Sequence, residues 1–403
     1  MNSRTVVDLL EPRSPRYSSL DMWRGVACLA VVVVHSIFYS HPAIDAHGLE
    51  GIAALVMQGC TWLWLGVPMF FVISGYCISA TADSSRRKSA TTTSYFIRRF
   101  RRIYPPYWAL LGMSCLLVGV CEYSVWPGLF SDENHPFSGP WSLSGWQWVG
   151  NLSLTESWRS HFVGGGRSYL LGHAWTLCYE EQFYIVCGII LLIAPRHFFS
   201  AAAIVSLLVV AAAPVAHKFR LQGFFFDGHW VLFAAGIVVY YHVNYASKRF
   251  CRLIEGSLIL GMAACWIDPL HHWAVGSIEQ HGLIAFGFAL TLILTRRWDR
   301  QIANSRWTQP LQFCGTMCYS LYLVHYPISK GLSHALYLAG LESNLSTLLV
   351  TVPACLATSL AVAWPFHVFI ERRFLNATQA SHVKIANGLS QPEATLATSQ
   401  RAA

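Results

Sequence analysis

The sequence predicts an all-α fold, a polytopic bundle of about ten membrane-spanning helices with one long extracytoplasmic loop. Three observations carry that prediction. Of 403 residues, 54% are hydrophobic and only 12% are charged, about half the charge of an ordinary globular domain. Apolar runs recur along the chain at lengths suited to crossing a bilayer. The basic residues also alternate between loops. With the N-terminus taken as cytoplasmic, 20 Lys and Arg fall in cytoplasmic segments and 5 in outside segments, as the positive-inside rule expects. So few charges could not cover the surface of a soluble protein this apolar. Coiled coil, disorder and a disulfide-built secreted domain are excluded on the same ground. The net charge of +8 sits in membrane-flanking loops and implies no nucleic-acid partner.

The elements follow in order. Residues 1–18 read as a cytoplasmic tail and 19–374 as the membrane domain. The first apolar run, 26–39, opens after Arg24 and Gly25 and has no small-residue cleavage site after it, so a retained span is expected rather than a signal peptide. Further runs lie near 52–82, 103–121, 174–194, 198–216, 228–245, 253–267, 277–295, 310–330 and 343–370. Those at 253–267 and 277–295 are near or below the roughly 20 residues a span needs. Residues 122–170 form the outside loop, which holds Trp126, Trp141, Trp146, Trp148 and Trp158. Loops of this length are usually functional or disordered. Residues 375–403 are rich in Ala, Ser, Thr and Gln and read as a disordered cytoplasmic tail. The 12 Cys lie mostly within apolar runs without a CxxC pair. They read as packing residues, and no metal site is expected.

Ionisable groups inside spans are expensive, so they are the first functional suspects. His35 lies eleven residues beyond Arg24, about 16 Å along a helix, which puts it near mid-membrane. A histidine bonded to a backbone carbonyl would look the same from sequence. Glu180 and Glu181 are adjacent and point to different faces; one is expected to enter the bundle, though both would also suit a helix entrance. Arg98, Arg99, Arg101 and Arg102 form a basic stretch. It serves either topology or a polyanion, with Arg99 and Arg102 on one face. Pro68 in a long span is expected to free carbonyls that need other partners, and Ser74-Gly75 permits close helix approach. Tyr319, Tyr322 and Tyr326 share a face, with His325 near the outer end of the run; an interfacial aromatic belt would account for them equally well.

Taken in order, these segments resemble the acyltransferase-3 family of integral membrane O-acyltransferases. Arg24 and His35 match its opening motif. Gly66, Phe70, Phe71, Ser74 and Gly75 match its GVxxFFxxSG segment, and Arg98, Arg99, Arg102, Ile103 and Pro105 its RRxxRIxP stretch. Trp175, Leu177, Glu180, Glu181, Gln182, Phe183 and Tyr184 match W[ST]LxxEEQFY, with Thr176 where Ser is common. Tyr319, Tyr322, His325 and Pro327 match YSLYLxHxP, and Phe369 to Arg372 the closing helix end. Met22 follows Asp21 where relatives often have Gly. An additional esterase-like domain, present in some relatives, is not expected.

The resemblance implies a bacterial cytoplasmic-membrane enzyme with both termini cytoplasmic. It would move an acyl group, most often acetyl, from cytosolic acyl-CoA to a hydroxyl of a sugar-containing acceptor such as a surface polysaccharide or its lipid-linked precursor. Acetyl-CoA would be a co-substrate, with no resident cofactor. On that reading His35 is the general base, Glu180 its orienting partner and Arg24 a support. Arg98, Arg99 and Arg102 would hold the CoA phosphates. Trp141, Trp146, Trp148, Tyr322 and His325 are candidates for acceptor binding. The competing reading is a transporter or flippase of lipid-linked sugars or small anions, with buried His and Glu as a proton relay; the two similar halves common in transporters are absent from the sequence. A structural or sensor component would leave the Arg cluster and the His and Glu unexplained.

Overall fold

The computed structural model describes residues 13, 16–40, 51–88, 90–125, 139–219, 223–266 and 279–375, which are helical and irregular without strands. The long helices are α1 (Leu20–Ser40), α2 (Ile52–Thr61), α3 (Gly66–Arg87) and α4 (Thr92–Val120), followed by the short α5 (Gly145–Leu152) and α6 (Glu156–Val163). Next come α7 (Trp175–Ile193), α8 (Phe198–Lys218), α9 (His229–Asn244), α10 (Lys248–Trp266) and α11 (Glu279–Thr295). The chain closes with α12 (Asp299–Asn304), α13 (Gln309–Thr316), α14 (Cys318–Leu338) and α15 (Val352–Phe369). The Leu20 end of α1 is called lower and the Ser40 end upper.

Each expected run holds a helix, and six stretches are long and apolar enough to cross a membrane: 20–40, 52–87, 92–124, 172–193, 195–216 and 344–373. Helices α9, α10, α11 and α14 do not meet that standard among the described residues. Helix α14 carries Ser320, His325, Ser329, Lys330 and Ser333, polar groups that its packing on α1 and α15 keeps inside the bundle. Ile204, Leu207 and Leu208 of α8 and Leu116 and Leu117 of α4 project outward uncovered, an apolar flank suited to lipid.

Three local expectations change. The run at 310–330 is two helices that break at Met317. Pro68 falls in the first turn of α3, after a 3-10 turn at Trp62–Leu65, where a missing N–H costs least. The described part of the segment expected as the outside loop is folded. Ser144 and Gln147 form a capping box on α5. The last carbonyls of α5 receive three donors from α4: Tyr107 Oη to Asn151, Trp108 Nε1 to Leu152 and Tyr104 Oη to Ser153, at 2.8–3.0 Å. The buried Glu156–Arg159 pair then staples the loop, with Arg159 donating to the carbonyls of Gly164 and Gly166 and Glu156 accepting from Ser168 N. Trp126 and most of the expected tails, 1–18 and 375–403, lie outside the described residues.

Close backbone contacts hold the centre. A Cβ on Gly75 would strike the Phe233 carbonyl and one on Gly236 the Val72 carbonyl, so α3 and α9 meet through small residues as Ser74-Gly75 suggested. A Cβ on Gly25 would strike the Leu311 carbonyl and one on Gly315 that of Asp21. That second approach brings the start of α1 against α13 and sets the lower rim of the site. Beneath it, Asp299 accepts from Ser19 N (2.7 Å), Ser18 N (2.9 Å) and Ser19 Oγ (2.8 Å), capping α1 from a distant segment, with Arg296 as its ion partner.

Candidate active site

A cavity of about 260 Å³ opens between α1, α3, α4, α7 and α14. At its lower part α1 contributes Arg24, whose Nη1 pairs with Asp21 (2.6 Å) while Nη2 donates to Cys77 Sγ of α3 (2.8 Å). Helix α4 contributes Arg99 and Arg102, one face apart by three residues as their spacing requires. Arg99 is only 7% exposed. Its Nη2 donates to Thr81 Oγ1 (2.7 Å), and its guanidinium lies over the Tyr184 ring at 5.0 Å. Such a burial is tolerable because the flat ion meets both a hydroxyl and a ring face. Arg102 has no ion-pair partner among the described residues.

Three carboxylates share this cavity, and each has partners. Asp21 is held by Arg24. Glu180 accepts from Ser74 Oγ (2.7 Å) and from the Tyr184 hydroxyl. Glu371 accepts from Ser320 Oγ (2.6 Å) and lies 2.7 Å from His367 Nδ1. Among the described residues only Asp21 is ion-paired with an arginine of the cavity, so Arg99 and Arg102 are the two cavity arginines without a carboxylate at ion-pair distance. Glu180 of the adjacent pair lines the cavity, whereas Glu181 does not.

The upper end of the cavity is formed by Val31, Thr176 and Tyr322. Tyr322 Oη donates to the His173 carbonyl (2.7 Å) and shares a 2.8 Å hydrogen bond with Thr176 Oγ1. One helical turn above stands a cluster of three histidines. His35 Nδ1 lies 3.1 Å from His325 Nε2. His325 Nδ1 lies 2.6 Å from the Tyr322 carbonyl and 3.2 Å from that of Leu321. The His173 ring sits 5.3 Å from His325 and 4.8 Å from Tyr326. It is 4% exposed, and neither of its nitrogens has a hydrogen-bond partner among the described residues.

This arrangement corrects the expected His35–Glu180 pair. His173, just before α7, is level with His325, and Glu180 comes seven residues later, roughly two turns or 10 Å deeper. Glu180 is thus a carboxylate of the cavity, and the partner of His35 is His325. Arg98 also departs from expectation. It hydrogen-bonds Ser94 and Ser85 (3.2 and 3.0 Å) and does not line the cavity. Trp141, Trp146 and Trp148 stand on the segment expected as the outside loop and do not line the cavity; Trp146 is 60% exposed and Trp141 lies edge-on to Tyr123.

Sequence reasoning missed Cys77 and His173. Cys77 was read as a packing residue, and nothing local marks it as the partner of Arg24. His173 carried a readable signal, an imidazole at the mouth of an apolar span.

Known proteins resemble this chain over most of its length. A family model described as an acyltransferase domain matches residues 17–368. O-acetyltransferase OatA of Staphylococcus aureus is 24% identical over 349 residues, which cover 81% of this chain and 53% of that protein. The chain therefore spans about half the length of these relatives. A putative membrane-bound transacylase, BcsY of Komagataeibacter xylinus, is 25% identical over 359 residues, covering 85% of this chain and 86% of its own. Peptidoglycan O-acetyltransferase OatA of Listeria monocytogenes matches 159 residues at 28% identity, covering 38% of this chain and 24% of that protein. No solved structure matches. With apolar helices enough for a multi-pass membrane protein and a domain match over most of its length, the chain belongs to the acyltransferase-3 family.

Proposed function

We propose that this protein is an O-acyltransferase of the bacterial cytoplasmic membrane, with about ten spans and both termini cytoplasmic. It moves an acyl group, most simply acetyl, from acyl-CoA to a hydroxyl of a sugar-containing acceptor, a surface polysaccharide or its lipid-linked precursor. One observation supports this above the others. A single cavity takes in Arg24, Arg99 and Arg102 at one part and ends one turn from the His35–His325 pair. Arginine suits phosphate because its planar fork makes paired hydrogen bonds, and a neutral imidazole suits removal of a hydroxyl proton.

On this reading the CoA phosphates bind at Arg99 and Arg102, with Arg24 supporting the arm as it enters. The acyl carbonyl lies at the upper end, by Thr176 and Tyr322. His35 takes the proton of the acceptor hydroxyl, the oxygen attacks the thioester carbon, and the carbon–sulfur bond breaks. CoA leaves as a thiolate and is protonated by the imidazolium, so no net charge stays in the membrane. The outside loop, with Trp141, Trp146 and Trp148 as flat apolar faces for sugar rings, contributes acceptor choice. The names of the relatives support O-acetylation of a cell-wall or surface glycan as the type of reaction. The test is release of free CoA from acetyl-CoA by purified protein supplied with the polysaccharide fraction of its source cells. Acceptor-dependent CoA release with acetate found on the glycan supports the reading. Absence of acetyl-CoA binding would refute it.

A further inference from the structure

The three histidines lie outside the cavity lining, and their hydrogen-bond directions can be worked out from partners that have only one role. A backbone carbonyl accepts and never donates. His325 Nδ1 stands 2.6 Å from the Tyr322 carbonyl and 3.2 Å from the Leu321 carbonyl, so that nitrogen carries a proton. A neutral imidazole has one N–H, which leaves His325 Nε2 as an acceptor. The donor that faces it is His35 Nδ1 at 3.1 Å. His35 therefore carries its proton on Nδ1 and holds a lone pair on Nε2. Neither ring has a carboxylate among its hydrogen-bond partners in the described residues. Tyr39 stacks on His35 at 5.8 Å, Tyr326 lies edge-on to it at 5.8 Å, and the Lys330 ammonium sits over the Tyr39 and Tyr326 rings.

We infer that His325 is a positioning residue that accepts the Nδ1 proton of His35 and holds His35 in the tautomer whose Nε2 is free to take a proton. The chain of bonds runs from two carbonyls of α14 through His325 to His35 on α1, and it fixes the orientation and tautomer of the base as the carboxylate does in triads built from Asp, His and a nucleophile, without that group's charge. The inference rests on the reading of His35 as the general base. It moves His325 from acceptor binding to the support of that base. It also explains why α14 is polar along the face it turns to α1, where Ser333 Oγ donates to the Ser36 carbonyl at 3.0 Å two turns beyond His325.

The experiment compares His325→Phe, His325→Gln and His35→Ala in purified protein, with acetyl-CoA as donor and the polysaccharide fraction of the source cells as acceptor. Phe keeps the ring and removes the acceptor; Gln offers an amide oxygen near the position of Nε2. Expected is a fall in kcat of about 10²–10⁴-fold for His325→Phe, with KM for acetyl-CoA changed less than about 2-fold. His325→Gln should recover at least about 10-fold of that loss, as an acceptor role demands. Acetyl-CoA binding and thermal unfolding of each variant show whether it is folded. A His325→Phe enzyme with kcat near wild type overturns the inference, and so does a folded His325→Gln enzyme no better than the Phe variant. If His35→Ala itself keeps turnover, the base reading falls and this inference with it. If His35→Ala is inactive while His325→Phe is not, only the inference falls.

Discussion

The lower cavity and the upper histidine cluster solve opposite problems with neighbouring turns of the same helices. The cavity keeps charge. Arg99 is buried against the Thr81 hydroxyl and the Tyr184 ring, Arg24 meets the Cys77 thiol and Asp21, and Glu180 and Glu371 accept from Ser74, Tyr184 and Ser320. The cluster is built without a carboxylate or an arginine among the described residues: three imidazoles, tyrosines and backbone carbonyls, with the Lys330 ammonium over two of the tyrosine rings. Recognition of a polyanion and activation of a hydroxyl call for different dielectric surroundings, because an unpaired ion is costly where a neutral base is not. Helices α1 and α14, and α7 together with the turn that precedes it, contribute to both regions, and Tyr322 with Thr176 forms the layer between them.

The sharpest way to separate the two regions is to remove one and watch the other. His35→Ala should lower acyl transfer by about 10²–10⁴-fold and leave acetyl-CoA affinity within about 2-fold, measured by turnover and by equilibrium binding on the same preparation. A large loss of affinity in that variant would mean that the regions are not separate. Arg102→Ala should do the reverse. Loss of one charge-assisted contact, about 1.5–3 kcal/mol, weakens acetyl-CoA binding by roughly 10–100-fold, and Lys should restore it only in part. Unchanged affinity in a well-inserted Arg102→Ala protein would leave the basic stretch a topology signal alone.

A smaller change is expected at the layer between them. Tyr322→Phe removes a hydroxyl bonded to the His173 carbonyl and Thr176, a loss of about 0.5–1.5 kcal/mol. It should alter kcat by about 10-fold or less while both binding and the His35 tautomer persist. If it abolishes turnover, the hydroxyl takes part in the chemistry.

Much of this was legible before the structure, and the limits have physical causes. Arg24, His35, Arg99, Arg102 and Glu180 stood out because a bilayer rarely tolerates an ion without a use, and four of the five line one cavity. The apolar runs marked the helices for the same reason. The partners were not legible. His35 and His325 are 290 residues apart, and helix register decides whether Glu180 reaches the histidines or stops two turns short. The break at Met317 was hidden as well, because Gly315 needs it to approach the Asp21 backbone, which is a tertiary demand. Trp141, Trp146 and Trp148 could be found by composition, whereas the folding of their loop depends on donors from Tyr104, Tyr107 and Trp108 of another helix.

The smallest expected effect on catalysis lies at the base of α1, outside both regions. Burial opposes a charge on Asp299, which is 1% exposed, but donations from Ser19 and Ser18 beside Arg296 prevail and hold its carboxyl below the usual range. A depressed carboxyl stabilises the fold above its unfolded-state value, about 3.9, and that contribution is lost as pH falls through the folded value. Asp299→Ala should therefore lower thermal stability at neutral pH, by about 1–3 kcal/mol for the unpaired donors left behind. The deficit relative to wild type should shrink on acidification below about pH 4, with turnover at neutral pH little changed. A deficit that grows on acidification would reverse the assignment.

The central claim is that one ligand joins the two regions, its phosphates at the arginines and its acyl carbon at the histidines. An experimental structure of the protein with a non-hydrolysable acetyl-CoA analogue tests this directly. The account predicts phosphate density at Arg99 and Arg102, the pantetheine arm along Arg24 and Ser74, and the acyl carbon beyond Tyr322 on the side of His35 Nε2. Phosphates bound elsewhere, or an acyl end directed away from His35, would contradict it.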